Sequence, residues 1–256
     1  MSKNLFPSRP DSNPTIYAYK ILNAKDREGL LKVGFTNRNA QERVKEQLGT
    51  SGLSYKIVLE ESAMRNDGSA FTDHDVHRYL KQIYIPNPDG EWFECDLKDV
   101  EAAVLAIRNG GANVEHRTLD FKMRPEQQEA VKKTMQYFSS FNNENPDKTP
   151  HFLWNAKMRY GKTFATYQLA KKMGWKKVLV LTFKPAVQSA WDEDLKSHLD
   201  FEGWQFISRN GMSFDEIDKS NPYVCFGSFQ DYLGKNTSTG GIKTKNEWVH
   251  TTNWDC

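Results

Sequence analysis

Residues 156–163 have the residue types and spacing of a phosphate-binding loop. They read Ala-Lys-Met-Arg-Tyr-Gly-Lys-Thr, a small residue followed five positions later by Gly-Lys-Thr. Gly161 lets successive backbone N–H groups curl around a phosphate, and a helix that begins there adds its dipole. Lys162 is long enough to reach β- and γ-phosphates, and Thr163 offers a hydroxyl to Mg²⁺. The loop therefore predicts binding of ATP together with Mg²⁺.

The nucleotide contacts of this loop are expected from several of its members: Ala156, Arg159, Gly161, Lys162 and Thr163. Ala156 stands where the usual pattern has glycine. The alternative is a Gly-Lys-Thr turn that only opens an ordinary helix. The segment lies between a predicted strand and a predicted helix, which favours the phosphate-binding interpretation.

The elements around the loop alternate between strand and helix. A helix is predicted to begin at Arg124-Pro125 and to end before residue 142. The later pattern predicts strands at 151–155, 178–183, 204–207 and 223–226 and helices at 162–173 and 188–199. Such alternation implies βαβ crossovers and a parallel sheet.

The first 112 residues have a different pattern. Strands are predicted at 15–22, 30–35 and 55–59, and helices at 40–48, around 76–83 and at 97–107. The short polar connection between the first two strands indicates a hairpin. Asn39 and Asp96 are the expected helix caps. The pattern predicts a small α+β domain with a mainly antiparallel sheet.

Composition limits the functional class only loosely. The chain has 256 residues, 38% of them apolar and 27% charged, with a net charge of +2. Residues 1–117 carry 16 basic and 17 acidic side chains, and the remainder 19 and 16, so a nucleic-acid surface must be a local patch. Three separated cysteines predict neither disulfides nor a zinc site. With no signal peptide or apolar span in the sequence, we expect a cytoplasmic protein.

The C-terminal pattern resembles superfamily 2 helicases and translocases, especially the motor subunits of restriction enzymes. The resemblance is carried by the loop at 156–163, by Met-Arg-Pro-Glu-Gln at 123–127, by the strand and turn at 178–188, and by Phe-Gly-Ser-Phe-Gln at 226–230. It implies that Gln127, with Arg124, recognises adenine while Phe121 stacks on the ring. It also implies contacts to a nucleic-acid backbone from three residues: Lys184, Gln188 and Gln230.

The family's acidic pair is missing from this chain. An Asp-Glu pair after a strand holds Mg²⁺ and orients the attacking water in such motors, and Trp254-Asp255 resembles the beginning of that strand. The resemblance therefore implies an incomplete RecA-like domain, with a second motor domain and its arginine finger expected in a longer protein.

The N-terminal pattern resembles the divergent phage-type branch of the GIY-YIG nucleases. Thr-Ile-Tyr at 15–17, Lys-Val-Gly at 32–34, Thr36, Arg43, His77 and Glu-Trp-Phe at 91–93 occur in the order found there. In that family a tyrosine orients or deprotonates water, an arginine binds the scissile phosphate, and an acid holds one divalent metal ion.

By position these roles fall to Tyr17, Arg43 and Asp73, with Lys32 in place of the second tyrosine. The family has glutamate where this chain has Asp73, and Asp75 is an alternative on a different helix face. The tyrosine could instead be a core residue and the arginine a solvated one. The predicted catalytic set is Tyr17, Lys32, Arg43 and Asp73, converging on one concave face.

The predicted organisation is a tail at 1–13, a GIY-YIG nuclease-like domain at 14–112, a linker at 113–120 and a truncated RecA-like domain at 121–256. The expected function is ATP-driven movement along DNA, or RNA, coupled to cleavage in restriction or phage defence. One rival is a non-catalytic N-terminal module that binds DNA and guides the motor. Another is an unrelated phosphate-loop ATPase.

Overall fold

The computed structural model describes residues 13–111, 113, 115–183, 185–232, 241, 243 and 246–256. The chain divides into two compact units, Met1–Thr118 and Leu119–Cys256. Within the described ranges, no helix is long and apolar enough to cross a membrane.

The first unit is built on a four-stranded antiparallel sheet in the order β3-β1-β2-β4. Its strands are β1 (Thr15–Ile21), β2 (Leu30–Thr36), β3 (Tyr55–Ser62) and β4 (Trp92–Glu94), and its helices are α1 (Ala40–Leu48), α2 (Asp73–Gln82) and α3 (Leu97–Asn109). The predicted hairpin, the antiparallel sheet and the helices are confirmed. The short strand β4 was not predicted, because Trp-Phe-Glu is too short to show a strand period.

The two faces of this sheet carry different helices. Alternate residues such as Ile16, Ala18 and Val33 face a core that α2 and α3 complete. Tyr17 and Tyr19 point to the other face and pack with Ala40 and Val44 of α1. Because strand side chains alternate between faces, α1 lies on one side of the sheet and α2 and α3 lie on the other.

The predicted caps fix the ends of two of these helices. The Asn39 side chain accepts the backbone N–H of Glu42 (3.1 Å) at the start of α1, and Asp96 accepts that of Asp99 (3.1 Å) at the start of α3. These bonds satisfy N–H groups that have no partner inside the helix.

The second unit contains a parallel sheet, as the alternating pattern predicts. The sheet has three strands in the order β5-β7-β6. Its elements are α4 (Pro125–Glu144), α5 (Lys162–Met173), β5 (Lys177–Thr182), α6 (Gln188–Ser197), β6 (Gln205–Ile207), β7 (Tyr223–Ser228), α7 (Phe229–Tyr232) and α8 (Glu247–Thr251). An aromatic core that includes Phe164, Tyr167, Phe201 and Phe226 joins α5 to the sheet.

The predicted strand at 151–155 is wrong. This segment has no regular secondary structure, and Leu153 is 88% exposed. An extended segment becomes a strand only where a neighbour pairs with its backbone groups, and in the described part of the chain none does. Trp154 nevertheless anchors the segment, because its indole N–H donates to Thr134 Oγ1 (2.7 Å) on α4.

Candidate functional site

Tyr17 lies across Gly34 on the face of the sheet that α1 covers. The two residues are directly opposite each other on β1 and β2. A Cβ atom at Gly34 would lie 2.6 Å from both Cζ and the hydroxyl of Tyr17. The glycine of the Lys-Val-Gly motif therefore leaves room for the tyrosine ring, which is only 1% exposed.

Gln47 connects Tyr17 to Lys32. The Tyr17 hydroxyl donates to Gln47 Oε1 (3.2 Å), and Lys32 Nζ donates to the same oxygen (3.3 Å). Sequence reasoning missed Gln47. The available signal was its position four residues after Arg43, which places both on one face of α1.

Lys32 is held from a second side by the Glu-Trp-Phe motif. Its ammonium group forms an ion pair with Glu91 Oε2 (3.0 Å) and lies 5.7 Å from the ring centroid of Tyr19. The lysine side chain is only 15% exposed. The Lys-Val-Gly and Glu-Trp-Phe motifs are thus joined by the ion pair between Lys32 and Glu91.

Arg43 extends from α1 beside Tyr17. Its half-buried guanidinium makes no side-chain hydrogen bond or ion pair to any residue that the structure describes. Burial raises the pKa of the Tyr17 phenol, and the positive charges of Lys32 and Arg43 oppose this only in part. Tyr17 is therefore neutral at neutral pH, with a cation free to receive an anion nearby.

Asp73 does not share this face. It begins α2, which packs on the opposite side of the sheet, and its carboxylate accepts the backbone N–H of His74 (3.0 Å). Within the described residues it makes no hydrogen bond or ion pair with Tyr17, Lys32 or Arg43. The expectation that all of the catalytic residues converge on one face is therefore wrong for Asp73, because α2 buries its apolar stripe under the other face.

His77 places α2 against the outer edge of β2. Its Nε2 lies 2.8 Å from the carbonyl oxygen of Val33, so Nε2 carries the proton. The backbone N–H of Val33 donates to Glu91 O (3.0 Å) along the same edge. Asp73 lies one helical turn before His77 and therefore on the same side of α2 as His77.

Asp75 is a structural residue of α2. Its carboxylate accepts the backbone N–H of Thr72 (3.1 Å) in a capping box and forms ion pairs with Arg65 (3.4 Å) and Arg78 (3.3 Å). These contacts occupy both of its oxygens, which leaves Asp73 as the acid of this helix available to a ligand.

The described residues contain no group of three or more His, Cys, Asp or Glu side chains placed to hold a metal ion. A single carboxylate such as that of Asp73 suits an ion that takes most of its ligands from water and phosphate, as Mg²⁺ does. The metal site predicted at Asp73 therefore stays a prediction.

The phosphate loop of the second unit has the predicted turn into a helix. Gly161 is left-handed (φ 78°) and caps α5, and Arg159 is left-handed as well (φ 60°). Lys162 Nζ donates to the carbonyl oxygen of Lys157 (2.7 Å), across the concavity where a phosphate would lie. Thr163 is half-buried at the first turn of α5, and Ala156 lines a shallow cavity of about 260 Å³ beside the loop.

Arg124 and Gln127 hold this loop from the start of α4. The amide of Gln127 donates to Tyr160 O (2.8 Å), and the guanidinium of Arg124 donates to the carbonyl oxygens of Arg159 (3.2 Å) and Tyr160. Gln127 is buried, so its amide contacts the loop here rather than an open adenine pocket. Phe121 packs on Phe164.

Two of the predicted nucleic-acid contacts, Gln188 and Gln230, lie after the carboxyl ends of parallel strands, where open α/β sheets commonly bind ligands. Gln188 Nε2 donates to Ser208 Oγ (3.0 Å), just beyond β6. Gln230 is exposed on α7, beyond β7, and lines a cavity of about 390 Å³. Lys184 lies outside the described residues.

The Trp-Asp step near residue 255 runs beside β5. The backbone N–H of Asp255 donates to Lys177 O (2.9 Å), and that of Leu179 donates to Cys256 O (2.7 Å). The Asp255 carboxylate also accepts the backbone N–H groups of Lys176 (2.7 Å) and Lys177 (2.9 Å). These residues extend the hydrogen bonding of the sheet past β5.

Comparison with known proteins gives two findings. Residues 15–108 match the T5orf172 domain family. A stretch of 120 residues is 37% identical to a Mycoplasma pneumoniae protein named "Putative type II restriction enzyme and methyltransferase RM.MpnORF110P C-terminus", over 46% of this chain and 16% of that protein. No solved structure matches significantly. The two matches support a nuclease-like domain related to restriction enzymes.

Proposed function

We propose that the first unit is a GIY-YIG-type endonuclease domain that hydrolyses DNA phosphodiesters in restriction or phage defence. The observation that carries the proposal is the cluster of Tyr17, Lys32, Gln47 and Arg43 on one face of the sheet. A buried neutral phenol beside two cations suits a phosphate anion and the water that attacks it. The match to a T5orf172 domain and the name of the mycoplasma relative support the same class of reaction.

Arg43 is the residue through which the scissile phosphate would enter this cluster. Its guanidinium has no anionic partner in the described protein, whereas Lys32 already pairs with Glu91. Arginine can bind a phosphate through two parallel hydrogen bonds, which both attracts and orients it. Asp73 would hold Mg²⁺, and the ion would stabilise charge on the phosphate.

A plasmid-nicking assay with Mg²⁺ on the 256-residue chain tests this function. Arg43→Ala should lower the rate of nicking by about 10²-fold or more, because removal of one charge-stabilising group costs on that order. Lys45→Ala, which removes an exposed cation from the same helix, is the matched control. Equal nicking by both variants would exclude Arg43 as the phosphate ligand.

Asp73→Asn separates metal binding from DNA binding. The substitution should abolish Mg²⁺-dependent nicking while affinity for DNA without metal ions stays the same or rises, because a negative charge is lost. If Asp73→Asn nicks plasmid like the unaltered chain, the acid of this site lies elsewhere.

For the second unit we propose the first RecA-like domain of an ATP-dependent motor, with Mg²⁺ as the partner ion of ATP. The left-handed Gly161 at the start of α5 and the parallel sheet support this proposal. A second motor domain would supply the arginine finger. The rival for the first unit, a DNA-binding module without catalysis, predicts no nicking. The rival for the second unit is an unrelated phosphate-loop ATPase.

A further inference from the structure

We propose that Gln47 is a positioning residue of the nuclease site: its amide oxygen accepts a hydrogen bond from the Tyr17 phenol, so that Tyr17 serves as a neutral hydrogen-bond acceptor for the attacking water. This inference rests on the nuclease function proposed above. It identifies what directs the tyrosine, which neither the sequence pattern nor the comparisons assign.

The orientation of the Gln47 amide follows from its second partner. A lysine ammonium group has three donors and no acceptor, so the atom 3.3 Å from Lys32 Nζ must be the amide oxygen. The same oxygen lies 3.2 Å from the Tyr17 hydroxyl. An amide oxygen carries no hydrogen and cannot donate, and therefore the phenol donates to it.

This bond decides what Tyr17 can do. A phenol has one proton, and once that proton is directed at Gln47 only the lone pairs of the oxygen remain for a new partner. They can accept a hydrogen bond from water, while the water keeps both of its protons. Burial favours the same neutral form of the phenol.

Glu91 keeps this arrangement in place from the far side of Lys32. The ion pair to Glu91 (3.0 Å) and the bond to Gln47 (3.3 Å) hold the ammonium group, and its remaining proton can face a phosphate. Gln47 also follows Arg43 by four residues, so α1 delivers the phosphate ligand and the positioning amide on one face.

The direction of the Tyr17 proton can be tested without any catalysis. In the full chain, proton NMR should show a slowly exchanging hydroxyl signal that disappears in Tyr17→Phe. Gln47→Leu should shift or lose this signal, whereas Gln47→Glu, which keeps an acceptor oxygen, should retain it. Gln41→Leu, an exposed glutamine on the same helix, is the control. An unchanged signal in Gln47→Leu would overturn the proposal.

Nicking rates then test the positioning role. Gln47→Leu should slow nicking by about 10²-fold, and Gln47→Glu should recover to within about 10-fold of the unaltered chain. Equal rates for the unaltered chain and Gln47→Leu would refute the role. A further outcome is that the hydroxyl signal behaves as described although no form of the chain nicks DNA. That result would refute both the nuclease function and the role of Gln47 in catalysis, and it would support only the hydrogen bond between Tyr17 and Gln47.

Discussion

At the scale of the residue, the absence of a side chain at Gly34 determines where the Tyr17 ring can lie. Tyr17 occupies the space where any larger residue would place its Cβ atom, 2.6 Å from the phenol ring. Glycine is therefore needed at position 34 because the Tyr17 ring fills the space beside it, not because the backbone of residue 34 has an unusual conformation.

Gly34→Ala should therefore displace the Tyr17 ring, lower the free energy of unfolding by about 1–3 kcal/mol, and reduce nicking at least as strongly as Tyr17→Phe. Urea unfolding and the plasmid assay measure the two effects. Gly111→Ala is the control, because no atom lies within 4 Å of the Cβ position there. A Gly34→Ala chain as stable and active as that control would mean that the ring does not need this space.

At the scale of the element, helix boundaries were predictable and strand pairing was less so. Asn39 and Asp96 predict helix starts because their side-chain oxygens can accept the free backbone N–H groups of a first turn, and both of these caps form. The segment at 151–155 has three consecutive apolar residues, Phe152, Leu153 and Trp154, as a buried strand can have. A strand forms only with a partner, however, and the local sequence does not identify the partner. The same limit explains Asp73: residue order gave its helix but not the face of the sheet on which that helix packs.

The site was predictable to a similar extent. Tyr17, Lys32 and Arg43 were indicated by motif order, and the structure brings them together on one face. Gln47 was not indicated, because a glutamine four residues after an arginine is common on solvated helices. Only the distances to two motif residues distinguish it.

The junction of the phosphate loop with α5 carries the next prediction. Lys162→Ala should weaken binding of Mg·ATP by at least about 10-fold, because it removes the cation that a phosphate loop provides for the β- and γ-phosphates. Calorimetry on the full chain measures the affinity, and circular dichroism should show an unchanged fold. Lys172→Ala, an exposed lysine of the same helix, should bind like the unaltered chain. Equal affinities in all three would contradict the nucleotide site.

At the scale of the whole molecule, the second unit should lose stability in mild acid. His198 is buried in the second unit, where Nδ1 accepts the backbone N–H of Asp200 (3.1 Å) and Nε2 donates to Phe121 O (2.9 Å). Burial lowers the pKa of His198 below its usual value of about 6.5. The unfolded chain therefore binds a proton more readily, and stability is lost as the pH falls through that value.

We expect the free energy of unfolding of the second unit to fall between pH 7.5 and pH 5.5. Tryptophan fluorescence can follow it, because Trp92 is the single tryptophan of residues 1–118 and six lie beyond. His198→Gln should flatten this dependence, and His250→Gln, which alters an exposed histidine, should not. Although burial acts to raise it, hydrogen bonds from Lys171 and Gln168 lower the pKa of Asp200, so its contribution is lost only near pH 4 and below. A flat profile from pH 7.5 to 5.5 would refute the assignment to His198.

The imidazole of His77 has a consequence for solubility. By binding Val33 O it satisfies a backbone acceptor on the outer edge of β2, just past the point where β4 ends. Unsatisfied backbone groups on a sheet edge can recruit a strand from another molecule. His77→Ala should thus promote self-association, seen as a concentration-dependent mass in light scattering, while His74→Ala should stay at the mass of the unaltered chain. An unchanged mass for His77→Ala would show that this hydrogen bond does not protect the edge of β2.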